Sequence, residues 1–93
     1  MSAEKRIQDQ LALAAQAGYA AQHRHVDAAL WNSLTPTRRK ELIEAACLVR
    51  SAVLLGERDV LGTCFTACNR NRTLGVSYTF IGAVMGYLRE WGL

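Results

Sequence analysis

At about 100° per residue, the C-terminal stretch of this chain sorts its side chains into three sectors. Leu74, Tyr78, Ile81, Met85 and Leu88 form one apolar stripe, and Val76, Phe80, Val84, Tyr87 and Trp91 form a second, turned well away from it. The third sector holds Gly75, Thr79, Gly82 and Gly86. A helix with two apolar faces is gripped by neighbours on at least two sides, and its glycines allow a backbone or a flat ligand to come close.

Helical periodicity also governs the rest of the chain. A first helix is predicted from about Ala3 to Gln22, with Ile7, Leu11, Ala14 and Gly18 on one stripe thin enough for a second helix to pack closely. His23, Arg24 and His25 read as a polar connector to a short helix over Val26–Ser33, which offers Val26, Ala29, Leu30 and Leu34 to the core with Trp31 beside them. Thr35 followed by Pro36 is a strong helix start, because the hydroxyl caps free N–H groups and proline has no N–H to lose at the first position. That helix runs to Leu55, where Gly56 suits a left-handed C-terminal residue. Its stripe is Leu42, Ala46, Val49 and Val53, widened by Ile43, Cys47 and Leu54, with Lys40–Glu44 and Arg38–Glu41 pairs outside.

A fourth helix is predicted over Arg58–Cys68, weakened by Gly62, with Val60, Leu61, Cys64, Phe65 and Cys68 on one face. Asn69–Thr73 reads as a polar break, and the final helix starts at Thr73 or, if residues 74–76 form a turn, at Ser77. With one proline, little apolar alternation and no Asn-Gly hairpin signal, nothing supports a sheet. The pattern predicts one all-α domain over residues 1–93, a bundle of four to five helices with the last helix central.

Composition refines this picture modestly. The 51% apolar content is partly alanine concentrated between Ala12 and Ala29, which favours helix more than bulk burial. Three cysteines, an odd number, and no secretory pattern at the start point to a reducing, cytoplasmic setting. The strongly apolar stretch from Leu74 to Leu88 is too short to span a bilayer comfortably and reads as a core helix, so no membrane role is expected.

Candidate chemistry is sparse. Cys64 and Cys68 stand one helical turn apart, and His23 with His25 could complete four metal ligands, but the cysteines coincide with the apolar face, where a thiol acts as a small hydrophobe. Glu41 with Glu44, and Glu57 with Asp59, sit among Arg and Lys as ordinary solvated pairs. No glycine-rich phosphate loop follows a strand. The expectation is no metal, no cofactor and no enzymatic activity.

The basic residues break a local rule. The chain carries a net charge of +3, and Arg38, Arg39 and Lys40 occupy the first turn of the Thr35 helix, where the macrodipole disfavours each cation by about 0.3–1 kcal/mol. Arg70 and Arg72 repeat the arrangement before the final helix. A phosphate or an acidic partner surface would satisfy both the free N–H groups and the guanidinium forks, so these five are the candidate partner-binding residues. Tyr87 and Trp91 are candidate contacts for a helix-mediated homodimer.

The alternative is a nucleic-acid-binding regulator. Leu74, Gly75, Val76 and Ser77 match the turn of a helix-turn-helix, Ile81 and Val84 face inward, and Ser77, Tyr78 and Thr79 would begin the groove-facing surface. Asn71, four residues before the turn glycine, departs from the small buried residue that motif requires. The sequence thus predicts a small non-enzymatic helical binding module of adaptor or inhibitor type, and leaves protein and nucleic acid open as partners.

Overall fold

A computed structural model describes residues 3–23 and 28–92. The helices are α1 (Ala3–Gln22), α2 (Ala28–Ser33), α3 (Pro36–Leu54), α4 (Val60–Thr66) and α5 (Tyr78–Glu90), and a π-helical turn, Ala67–Asn71, continues α4. Among the described residues there is no strand. The expected connector residues Arg24 and His25, and the expected start of the short helix at Val26, lie outside the described residues.

Local chemistry sets each boundary. The Thr35 hydroxyl accepts from the Arg38 N–H at 3.1 Å and Pro36 opens α3, while Gly56 turns the chain away at φ +74°. Asp59 caps α4 by accepting from the Gly62 N–H at 3.0 Å, which starts that helix two residues later than Arg58. The Ser77 hydroxyl accepts from the Phe80 N–H at 3.1 Å and begins α5 at Tyr78. Thr73 at φ +54° and Gly75 at φ +68° leave the helical region, so the Ser77 start is the correct alternative. Leu74 and Val76 are nevertheless buried, from an irregular loop.

The expected polar break begins only at Arg72. Asn69, Arg70 and Asn71 remain helical, because the Asn69 amide reaches seven residues ahead to Val76 rather than competing with its own turn. Wider π geometry then closes on the loop through the Leu74 N–H, which donates to the Cys68 carbonyl at 2.6 Å.

Helix α5 is central, with Phe80, Ile81, Val84 and Leu88 fully buried among residues of α1, α3 and α4. Each such side chain contributes about 1.5–3 kcal/mol by leaving water. Helices α1 and α5 run antiparallel: Gln22 meets Ser77, Gly18 lies over Phe80 and Val84, and Trp91 lies beside the first turns of α1. A methyl group at Gly18 would come within 2.7 Å of the Phe80 ring and 2.9 Å of Val84. Gly18 therefore permits the close approach of α1 to α5.

The bare sector of α5 behaves differently from its sequence expectation. Among the described residues, Gly82 faces only Leu61, with its nearest atom 3.9 Å from the position of a Cβ, and nothing lies within 4 Å at Gly86. No backbone packs there, because α1, α3 and α4 take the apolar stripes and leave the glycine face outward. Tyr78 departs from its stripe for a related reason: in the first turn it projects past the core, stacks on Phe65 at 4.3 Å and stays 54% exposed. Cys47, expected to widen the α3 stripe, is exposed, and Ala45 and Ala52 take the core positions instead.

Candidate partner-binding end

The first turns of α3 and the loop from Arg72 to Ser77 converge on one end of the bundle. Arg38 joins them: one guanidinium nitrogen donates to the Leu74 carbonyl at 2.5 Å and the other to the Gly75 carbonyl at 3.3 Å. The same side chain lies 3.5 Å from Glu41, the pair expected one turn apart. Glu44 pairs with Arg72 across the loop, not with Lys40 along its own helix. Tertiary approach overrides the i, i+4 spacing here, since Arg72 is delivered directly against that carboxylate.

Neutral amides hold the second half of the loop. The Asn69 Nδ2 donates to the Val76 carbonyl at 2.7 Å while its Oδ1 accepts from the Val76 N–H at 2.8 Å. At the end of α1, the Gln22 Oε1 accepts from the Ser77 N–H at 3.3 Å and from its hydroxyl at 3.2 Å. Neither Asn69 nor Gln22 stood out in the sequence. The only local hint was a polar side chain at each helix end, which does not name a tertiary partner.

The five candidate cations thus divide by task. Arg38 and Arg72 bind the loop, and Arg39 donates to the Asn32 carbonyl at 3.3 Å, tying α3 back to α2. Lys40 and Arg70 are exposed and have no hydrogen-bond or ion-pair partner among the described residues. Of the candidate base-reading residues, Ser77 is half-buried and caps α5, Tyr78 stacks its ring on Phe65 while remaining exposed, and Thr79 is exposed. Tyr87 is half-buried and lies 5.9 Å, ring to ring, from Trp91 at the other end of α5.

Cys64 and Cys68 point into the core and are fully buried, and the Cys64 thiol lies 3.8 Å from the Leu48 carbonyl. Burial, with a smaller contribution from nearby Glu57, raises the Cys64 pKa; burial and then the neighbouring Cys64 push Cys68 up to about 11. These thiols are poor thiolate donors, and among the described residues no three His, Cys, Asp or Glu side chains gather as a metal site. Because the unfolded chain loses these protons near the ordinary 9.0, the stabilising contribution is complete below that pH and disappears as pH rises toward 11. The urea midpoint is expected to decline over that window, and the decline to flatten in Cys68→Ala. A thiol reagent at pH 8 should modify Cys47 quickly and the other two only on unfolding; equal native reactivity of all three would refute this placement.

Compared with known protein families, curated protein sequences and solved structures, the chain has no match in any of the three.

Proposed function

We propose that this chain is a non-enzymatic helical binding module, of adaptor or inhibitor type, that docks the acidic surface of a protein partner on its basic end. We propose too that it self-associates through the face bearing Tyr87 and Trp91. The observation that carries the reading is the convergence of two basic segments, about thirty residues apart in sequence, on one end of the bundle. Arg38, Arg39, Lys40, Arg70 and Arg72 there outnumber Glu41 and Glu44 by three, a surplus equal to the net charge of the whole chain. Three of the five cations are held by internal contacts, so Lys40 and Arg70 are displayed from a firm base.

Two features favour a protein over a nucleic acid. Glu41 and Glu44 pair with Arg38 and Arg72 and so draw those two guanidinium groups away from a phosphate backbone, which leaves Lys40 and Arg70 as separate charges suited to individual carboxylates. The outward face of α5 also carries Gly82 and Gly86, which have no side chain to read a base edge.

Fluorescence anisotropy with poly-L-glutamate and a short DNA duplex, each at ~50 and ~200 mM salt, tests the reading. Poly-L-glutamate is expected to bind wild type and to bind Lys40→Glu/Arg70→Glu at least tenfold more weakly, with circular dichroism and melting unchanged. Tighter binding of the duplex, falling steeply with salt, would establish the nucleic-acid alternative. Absence of binding to either polyanion would remove the basic end as a docking site.

A further inference from the structure

At the opposite end of α1 and α5 from the basic loop, Arg6, Ile7, Asp9, Gln10, Leu13 and Trp91 border an open groove of about 480 Å³. Its apolar parts are uncovered: Trp91 is 60% exposed and Leu13 45%. Large aromatic and aliphatic groups left together in water favour an occupant that covers them. Tyr87 backs the Trp91 ring, so the indole is positioned rather than loose.

The charges on the groove indicate what that occupant is. Arg6 and Asp9 are exposed, opposite in sign and one helical turn apart, yet among the described residues neither has an ion-pair partner. A two-fold axis between them would run α1 antiparallel to α1 of another copy. Arg6 would then meet Asp9 of the second copy, and the reverse pair would form by symmetry. The lip is thus complementary to itself, whereas a wholly acidic or wholly basic partner would meet repulsion from one of its two charges.

We propose that a second copy of this chain occupies the groove, docked about a two-fold axis between Arg6 and Asp9, with Trp91 at the edge of the contact. This rests on the self-association part of the reading above and is independent of the basic end.

Sedimentation equilibrium of the full chain across a concentration series tests it, with circular dichroism verifying that each variant folds. Wild type is expected to dimerise. Arg6→Asp and Asp9→Arg should each weaken the dimer by about tenfold, since each places like charges opposite one another twice. Combining both changes in one chain should restore it, and mixing the two single variants should favour the heterodimer. Trp91→Ala should weaken association by about tenfold, as loss of an aromatic contact away from the centre of an interface does. A dimer indifferent to these reversals would overturn this docking geometry while leaving self-association standing, and a single-chain mass at every concentration would overturn both. A folded double reversal that dimerises no better than either single variant would overturn the pairing of Arg6 with Asp9 about this axis.

Discussion

Phe80→Ala is expected to destabilise the protein by about 3–5 kcal/mol, a large share of the stability of a domain this size. Phe80 is fully buried on the central helix, and its ring fills the space over Gly18, so truncation opens a cavity that the tight α1–α5 crossing cannot close. Gly18→Ala makes the complementary test. Alanine gains about 1 kcal/mol in helix propensity, but its methyl would stand 2.7 Å from the ring, and overpacking of this kind costs about 1–3 kcal/mol. The single change should therefore destabilise, while in the double variant the added methyl enters the vacated space. Urea denaturation should show the double variant to be more stable than the two single losses added together, with a coupling of about 0.5–3 kcal/mol. Strict additivity would mean that Gly18 and Phe80 are not in contact.

Asn69→Leu is expected to cost about 2 kcal/mol or more, because it leaves both the Val76 N–H and the Val76 carbonyl without their partner. Asn69→Asp separates the two bonds. The carboxylate still accepts from the N–H but sets a second oxygen against the carbonyl, so the native state raises the carboxyl pKa above its unfolded value of about 3.9. The side chain is then stabilising while protonated, below the unfolded pKa, and that contribution is lost as pH rises through the folded pKa. Relative to wild type, the Asp variant should be closest in stability near pH 3.5 and furthest at pH 7. Equal losses at both pH values would show that the amide does not donate to Val76.

The boundary between what the chain reveals and what it hides follows the range of the interactions. Thr35 and Pro36 mark the start of α3 because a cap is made within three residues, and the two stripes of α5 are visible because periodicity is local. The thin Ala14–Gly18 stripe announced a close helix contact, but the identity of the helix above it depended on tertiary assembly. The open Gly82–Gly86 face illustrates the converse, since small residues permit approach without requiring it. Asn69–Asn71 looked like a break because those side chains can compete with their own backbone, and only the folded chain puts Val76 within reach of Asn69. Arg38 stands at a helix terminus that disfavours a cation, yet its guanidinium finds carbonyls 36 and 37 residues away. Part of the electrostatic conflict is thus resolved inside the fold: Arg70, in the last turn of the π-helical segment, suits its helix end, and Lys40 is the candidate cation left without a resolution.

The antiparallel course of α1 and α5 has one more consequence. It sets the displayed cations and the Trp91 groove at opposite poles, so two copies joined groove to groove would hold their basic ends outward on a rigid bar. A target with two suitably spaced acidic patches would meet the second end at an effective concentration governed by that bar, and avidity could exceed single-site affinity by about 10²–10⁴ without any new contact. A target with one patch would gain nothing, so the spacing of its acidic patches would itself become a basis for selection.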